Sequence, residues 1–142
     1  MIRKFRKSDL NIIMQIWLDT NIKAHNFIPN EYWSDNYATV KDILPQAEIY
    51  LYEDDDSNQI DGFIGLTDNY IEGIFVREAV WSRGIGKQLL NYAKEIKSTM
   101  SLSVYQKNTR AIIFYQREQF AIQSENIDAS TNEKEFIMTW SK

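Results

Sequence analysis

Apolar residues recur along the chain at helical intervals in some segments and in short continuous runs in others. Ile13 and Trp17 follow Ser8 with the spacing of a helix, and Ser8 is a residue type that favours the N-cap position. A second helix is predicted to begin near Pro29 and to contain Trp33. Other segments are rich in β-branched and aromatic residues, which favour strands. The pattern therefore predicts a chain that mixes helices with strands.

The predicted order of elements is β-α-α-β-β-β-α-β-α-β-β. The strands are predicted at residues 1–6, 49–52, 60–67, 71–77, 102–105, 120–122 and 135–140, and the later helices at residues 84–96 and from residue 108 onward. This order is typical of a mixed α/β or α+β layered structure. The acidic run at residues 53–59 lies between two predicted strands and is typical of a hairpin loop. We interpret its carboxylates as a solvated loop tip, with contact to a basic partner as the alternative.

Composition limits the size and the chemistry of the protein. With 142 residues the chain is expected to form one domain, residues 1–142, and its 44% hydrophobic content argues against disorder. It has no cysteine and one histidine, His25. These counts exclude disulfides, thiolate nucleophiles and metal sites built on cysteines or on two histidines. We therefore expect no metal.

Charge and hydropathy bear on partners and location. The net charge of -4 and the absence of a basic run disfavour a nucleic-acid binder. No stretch approaches the ~20 apolar residues of a membrane span, and charged residues interrupt the N-terminus where a signal peptide would be apolar. We expect a cytoplasmic protein without nucleic-acid or membrane partners.

Two glycines stand where a predicted strand passes into a helix. Gly84 and Gly86 allow a ligand to approach the backbone, and the free N–H groups of a first helical turn attract a phosphate. The dinucleotide-binding fingerprint fails because Leu89 stands at its last position. The P-loop pattern fails at Trp81 and Gln88. The segment is either a phosphate cradle, to which Arg83 and Lys87 add positive charge, or a helix start without a ligand.

A second candidate motif follows the strand at residues 102–105. Asn108 is a natural N-cap, Ala111 permits close approach, and Tyr115 lies one turn further along the same helix. A phenol with an ordinary pKa of ~10 is a proton donor at neutral pH. The alternative is an amphipathic helix whose Phe114 and Tyr115 are only core residues.

Taken together, the two segments resemble the GCN5-related N-acetyltransferase (GNAT) superfamily. Its acyl-coenzyme A motif matches at Gly84-Ile85-Gly86, and its later signature matches at Asn108, Ala111, Phe114, Tyr115 and Phe120. The element order also fits, so the resemblance covers nearly the whole chain and is closest to small, stand-alone bacterial members. Trp81 stands where the family has Gln or Arg, and Gln119 where it has Gly. The resemblance implies an α+β single domain with a mostly antiparallel sheet of six to seven strands and about four helices.

The resemblance also implies acetyl-coenzyme A as co-substrate and a set of residues around it. The implied cofactor-binding residues are Ile74, Phe75, Val76, Trp81, Ser82, Arg83, Gly84, Ile85, Gly86, Lys87, Asn108, Ala111, Phe114, Tyr115 and Arg117. In this reading the acyl-coenzyme A arm pairs with the backbone of residues 74–76, the pyrophosphate lies on the N–H groups of residues 82–87, and Asn108 contacts the pantetheine. The N–H of Val76 would stabilise the oxyanion, and Tyr115 would protonate the departing thiolate.

The acceptor side is less fully specified. Glu72, beside the implied thioester site, and His25, in the segment after the first helix, are the two candidate bases. His25, Tyr32 and Glu72 are the candidate acceptor-binding residues. Alternatively, His25 is a hydrogen-bonded loop residue, Glu72 is a solvated strand residue, and the amine arrives already neutral.

The leading functional prediction is acetyl transfer to a primary amine, which is a protein lysine, a protein N-terminus or a small amine. The alternatives are a non-catalytic acyl-coenzyme A sensing module and, less favoured by the charge, a tRNA-acetylating toxin. The chain is expected to be a monomer or a homodimer.

Overall fold

Seven strands and four helices alternate in the predicted order in the computed structural model, which describes all 142 residues. The elements are β1 (Ile2–Lys4), α1 (Leu10–Ala24), α2 (Asn30–Ile43), β2 (Glu48–Glu53), β3 (Ile60–Thr67), β4 (Tyr70–Val76), α3 (Ile85–Ile96), β5 (Thr99–Tyr105), α4 (Thr109–Arg117), β6 (Ala121–Asp128) and β7 (Glu133–Ser141). The predicted α+β class is confirmed. None of the four helices combines the length and the apolar character that a membrane span needs.

All seven strands form one sheet in the order β1-β2-β3-β4-β5-β7-β6. Every neighbouring pair is antiparallel except β4 and β5, which run parallel and pair only at Tyr70–Ser101 and Ile71–Leu102. The predicted mostly antiparallel sheet is therefore confirmed, with its weakest junction in the middle.

The sheet separates two hydrophobic cores. Helices α3 and α4 pack on one face, where Leu89 and Leu90 meet Ile64 of β3 in what we call the α3 core. Helices α1 and α2 pack on the other face, where Trp17 lies in the same core as Phe63. Successive side chains of a strand point to opposite faces, so Phe63 and Ile64 enter different cores. The central position of β3 explains why residues 60–66 are all buried.

The N-terminus of α1 differs from the prediction. Ser8 lies within a short 3-10 turn, and α1 begins at Leu10 after Asp9. The carboxylate of Asp9 accepts a hydrogen bond from the Arg6 N–H at 2.8 Å and pairs with Arg3 at 3.0 Å. The Arg3 guanidinium holds the pKa of Asp9 below its usual range. Asp9 therefore organises this turn, and the prediction that Ser8 is the N-cap was wrong.

Strands β6 and β7 are longer than predicted. The apolar pattern marked only residues 120–122 and 135–140, whereas the strands span Ala121–Asp128 and Glu133–Ser141. Nearly all of β6 is exposed at the sheet edge, so it lacks the alternation of buried apolar residues that predicts a strand.

Candidate active site

Beyond Ile71, strand β4 separates from β5 and leaves one edge open. A bulge starts the separation: Gly65 of β3 pairs with Gly73, but the next residue pairs with Ile71, so Glu72 has no partner. A Cβ at Gly73 would lie 2.3 Å from Cζ of Phe75, so a larger residue would displace the Phe75 ring from its stack on Phe63.

The open edge of β4 presents two peptide units. In an antiparallel ladder, opposite residues alternate between pairs that are hydrogen-bonded to each other and pairs that are not. The N–H of Arg77 donates to the carbonyl of Asp61 at 2.9 Å, so Arg77 and Asp61 form a bonded pair and the adjacent pair, Val76 and Gly62, does not. With Gly62 opposite Val76 and Ile64 opposite Ile74, the N–H and C=O groups of these two β4 residues point away from β3. Phe75 bonds to β3 instead, and its ring stacks on Phe63 at 4.8 Å. Of residues 74–76, Ile74 and Val76 therefore offer backbone groups to a ligand.

The loop that follows β4 forms a concave backbone at the start of α3. Ser82 and Gly84 both have left-handed φ values, 68° and 80°. The N–H of Gln88 donates to the Gly84 carbonyl, which leaves the N–H groups of residues 85–87 without partners inside the helix. Alternating backbone handedness and a helix N-terminus together make an anion site.

The predicted cations are Arg83 and Lys87 at this helix start and Arg117 at the end of α4, and Arg110 at the start of α4 is a fourth. None of the four takes part in an ion pair. Unpaired cations near a helix N-terminus suit a ligand with several phosphate charges.

Sequence reasoning missed Arg110. Its guanidinium lies 3.9 Å from the centre of the Trp81 ring, and the Trp81 indole N–H donates to the Val76 carbonyl at 2.6 Å. Trp81 and Arg110 thus join the loop before α3 to the start of α4. The signal available in the sequence was an arginine two positions after the Asn108 N-cap. No contact of this kind ties Arg117, which is exposed in the last turn of α4, to the cradle.

Helix α4 carries the second motif. The Oδ1 atom of Asn108 accepts a hydrogen bond from the Ala111 N–H at 3.2 Å, which confirms Asn108 as the N-cap. Ala111 and Phe114 are half-buried beside the α3 core, and a Cβ on Gly86 would lie 3.6 Å from the Phe114 ring. Ile85 is buried in the same core. The two motifs, far apart in sequence, therefore meet.

Tyr115 is buried in the α3 core. The centre of its ring lies 5.2 Å from that of Phe114 and 5.5 Å from that of Phe120. Burial, with a smaller contribution from Tyr70, raises the pKa of Tyr115 above its ordinary value. The phenol is therefore protonated at neutral pH, as a proton donor must be.

On the other face of the sheet lies a group of six rings, the aromatic cluster. Its members are Trp17, His25, Phe27, Tyr32, Trp33 and Tyr105. His25 stacks on Trp33 at 5.3 Å, and its Nε2 lies 3.2 Å from Nδ2 of Asn108. Burial lowers the pKa of His25 to about 4. An imidazole with this pKa is a weak base, which disfavours the predicted catalytic role of His25.

The other two acceptor-side candidates differ in exposure. Glu72 is exposed at the bulge. Its Cβ lies 3.7 Å from a Cβ placed on Gly65, and that Cβ would also contact Leu44 of the core beneath α1 and α2, so Glu72 lies on the face of α1 and α2. Tyr32 is half-buried, and its hydroxyl lies 2.8 Å from Oγ of Ser130 in the turn between β6 and β7. The roles of both residues stay predictions.

One groove lies away from these residues. About 740 Å³ in volume, it runs between α1 and the ends of β2, β3 and β4, and none of the predicted site residues lines it. Its arginines are already paired, Arg3 with Asp9 at 3.0 Å and Arg77 with Asp61 at 2.6 Å. The chemistry is concentrated at the β4 edge instead.

The comparisons with known proteins identify the class of protein to which this chain belongs. The family described as "Acetyltransferase (GNAT) domain" matches residues 45–122. The chain belongs to this family and is an acetyltransferase that uses acetyl-coenzyme A.

Relatives and solved structures are similar over most of the chain. The peptidyl-lysine N-acetyltransferase YiaC of Escherichia coli K12 is 34% identical over 99% of this chain and 93% of its own length. The solution structure of apo-form YjaB from Escherichia coli has a TM-score of 0.86 at 21% identity and covers 98% of this chain and 95% of its own. An acetyltransferase from Bacillus anthracis, solved with acetyl-coenzyme A, has a TM-score of 0.61 at 26% identity over 68% of this chain and 62% of its own.

Proposed function

We propose that this protein transfers the acetyl group of acetyl-coenzyme A to the ε-amino group of a protein lysine. The observation that carries the proposal is the open edge of β4, which ends at the anion cradle and has Tyr115 in the core behind it. The 34% identical relative is named as a peptidyl-lysine N-acetyltransferase, which favours lysine among the predicted amine acceptors. The net charge of -4 favours a cationic acceptor as well.

The residues present fit acetyl-coenzyme A. The peptide groups of Ile74 and Val76 can pair with the amides of the pantetheine arm as a neighbouring strand would. The N–H groups of residues 85–87, with Arg83 and Lys87 beside them, match the charge of the pyrophosphate. The Trp81 indole already takes the Val76 carbonyl, so the Val76 N–H is the group of that residue left for the ligand.

In the proposed reaction the lysine nitrogen attacks the thioester carbonyl directly in a ternary complex. The Ile74 N–H stabilises the negative charge that develops on the carbonyl oxygen, in place of the predicted Val76 N–H, because Val76 lies at the cradle end of β4 and Ile74 lies toward Glu72. As the carbon–sulfur bond breaks, Tyr115 donates its phenolic proton to the departing thiolate, and the second proton that the lysine nitrogen loses as the amide forms restores the phenol through water. Glu72 takes the proton of the ammonium group, directly or through water, since a lysine with a pKa of ~10.4 must be deprotonated before it attacks.

A thiol-release assay with acetyl-coenzyme A tests the proposal. The acceptors are lysine peptides, the same peptides with acetylated lysines, polyamines and free amino acids. We expect release with lysine peptides and an acetylated ε-amino group by mass spectrometry. Release with polyamines or amino acids alone would contradict the lysine assignment. If the protein bound acetyl-coenzyme A but released no thiol with any of these acceptors, a sensing module would be favoured.

The role of Tyr115 is tested with Tyr115→Phe. Loss of the hydroxyl removes the proton donor, so we expect kcat to fall about a hundred- to ten-thousand-fold while the Kd for acetyl-coenzyme A stays the same. Tyr52→Phe, on β2 two strands from β4, is the matched control and should keep kcat. Unchanged turnover in Tyr115→Phe would remove the tyrosine from the mechanism.

A further inference from the structure

Both ends of the Asn108 side-chain amide are held. Its Oδ1 accepts the Ala111 N–H at 3.2 Å and so caps α4, which fixes which end of the amide is oxygen. Its Nδ2 lies 3.2 Å from Nε2 of His25, a residue 83 positions earlier in the chain. An amide nitrogen can only donate, so Nε2 is the acceptor of this bond. One hydrogen of Nδ2 remains for a ligand.

The His25 ring is itself fixed from several directions. Its backbone N–H donates to the Asn21 carbonyl at 2.9 Å and continues the hydrogen bonding of α1 by one residue. Its ring stacks on Trp33 at 5.3 Å, and Phe27 at 5.7 Å and Tyr105 at 5.1 Å approach it edge-on. Three aromatic neighbours restrict rotation of the ring, so Nε2 stays directed at Asn108.

The imidazole is also in the required form. Because it is buried and uncharged at neutral pH, its proton resides on one nitrogen only. The bond from Asn108 leaves that proton on Nδ1 and an acceptor lone pair on Nε2. A protonated ring would offer two donors and would repel the Asn108 amide.

We propose that His25 is a positioning residue for coenzyme binding: its Nε2 holds the Asn108 amide so that the second Nδ2 hydrogen is presented to a carbonyl of the pantetheine arm. This inference rests on the function proposed above. It makes the segment between α1 and α2, which belongs to the acceptor-side face of the sheet, part of the coenzyme site. His25 acts through Asn108 and takes no proton from the acceptor.

Calorimetric titration with acetyl-coenzyme A, together with steady-state kinetics, tests the inference. His25→Leu removes the acceptor, so we expect the Kd and KM for acetyl-coenzyme A to rise about three- to tenfold, as for one hydrogen bond. At saturating acetyl-coenzyme A, kcat should stay within about twofold of wild type. Asn108→Ala should show the same pattern, and the double variant should bind no more weakly than Asn108→Ala alone, because the two residues act as one unit.

Three further variants guard against a purely structural effect. The amide oxygen of His25→Gln reaches about as far as Nε2, whereas that of His25→Asn ends near Nδ1. We expect Gln to keep the wild-type Kd and Asn to raise it, and this pair still decides if His25→Leu does not fold. Trp17→Phe disturbs the aromatic cluster at Trp33 without touching His25 or Asn108 and should leave the Kd unchanged.

The outcomes separate the two proposals. If wild type fails to bind acetyl-coenzyme A, the proposed function falls and this inference falls with it. If wild type binds and His25→Leu binds equally well, only the inference is overturned. A loss of kcat at unchanged Kd would return His25 to the role of base. Additive losses in the double variant would overturn the link between His25 and Asn108.

Discussion

The two sides of the β4 edge are built from different kinds of atoms. The proposed coenzyme side consists of the backbone N–H groups of residues 85–87, the outward-facing peptide groups of Ile74, the Val76 N–H and unpaired cations. On the proposed acceptor side, side chains from α1, α2, β5 and the segment after α1 assemble the aromatic cluster, and Tyr32 ties it to the β6–β7 turn. Most of the coenzyme side comes from one continuous segment, residues 74–87. The acceptor side exists only after distant segments have packed together.

The two tryptophans Trp33 and Trp81 test this contrast most strongly. Trp33 is buried and contacts Trp17, His25 and Tyr32, so Trp33→Ala should lower the free energy of unfolding by about 3–5 kcal/mol. Trp81 is half-buried and makes one hydrogen bond and one cation–π contact, so Trp81→Ala should cost about 1–2 kcal/mol.

Urea denaturation of both variants measures these losses, and acetyl-coenzyme A titration completes the comparison. Trp81→Ala should change the Kd for acetyl-coenzyme A, because it frees the Val76 carbonyl and releases Arg110. A Trp33→Ala protein as stable as wild type would show that the aromatic cluster does not hold the acceptor side together.

Acidification should lower the free energy of unfolding through His25, a residue of the aromatic cluster. The pKa of His25 is about 4 in the folded protein, because burial disfavours the charged ring, against ~6.5 when unfolded. As pH falls between these values the unfolded chain takes up a proton that the folded chain does not, so stability is lost. Wild type should lose about 2 kcal/mol more than His25→Gln between pH 7 and pH 4.5.

Urea denaturation at the two pH values gives this difference. Carboxylates with lowered pKa, such as Asp9 and Asp128, are present in both proteins and lose their stabilisation at still lower pH. Parallel pH dependence of wild type and His25→Gln would mean that His25 is protonated in the folded state.

The sequence predicted the fold well where burial imposes a pattern. Residues 84–96 carry a strong apolar face, and α3 spans Ile85–Ile96. Prediction failed where stability comes from elsewhere. At Asp9 an ion pair with Arg3 decides how the helix starts, and no local rule links these two residues. In β6 the strand is paired to β7 at the sheet edge and most of its side chains are exposed, so they carry no apolar signal.

The candidate site divides in the same way. The cradle at residues 82–87 and the Asn108 cap could be located because backbone conformation follows from local residues. The Trp81–Arg110 stack and the His25–Asn108 bond could not, since each joins segments that meet only in the folded sheet. His25 was predicted as a candidate base because free imidazole titrates near neutrality, and only the packed structure shows the burial that removes this property.

Gly84 and Gly86 provide a finer test of the coenzyme side. Gly84 has a φ of 80° with open space around its missing Cβ, so Gly84→Ala carries only backbone strain of about 1–2 kcal/mol. Gly86 is helical, and a Cβ there would make ordinary contacts, 3.6 Å to Phe114 and 3.9 Å to Ile74, so Gly86→Ala should be neutral or stabilising.

The same pair should separate in binding. If Gly84→Ala turns the cradle N–H groups, acetyl-coenzyme A affinity should fall about fivefold, which corresponds to about 1 kcal/mol. Calorimetry and thermal unfolding of both variants check the sign of each effect. If Gly84→Ala and Gly86→Ala bound acetyl-coenzyme A with the same affinity, the left-handed conformation of Gly84 would not shape the cradle.

Tyr32→Phe is the smallest change and the most specific to the acceptor side. The Ser130 hydroxyl donates to Asp128 at 2.6 Å, so the Tyr32 hydroxyl is the donor in its own bond to Ser130. That bond is exposed, and its loss should cost less than about 1 kcal/mol of stability. The β6–β7 turn would then be free of α2, so the KM for a lysine peptide should change while the Kd for acetyl-coenzyme A does not. Ser130→Ala should reproduce the effect from the other partner. A weaker acetyl-coenzyme A affinity in either variant would mean that this bond, too, reaches the coenzyme through the aromatic cluster, and the separation of the two sides would fail.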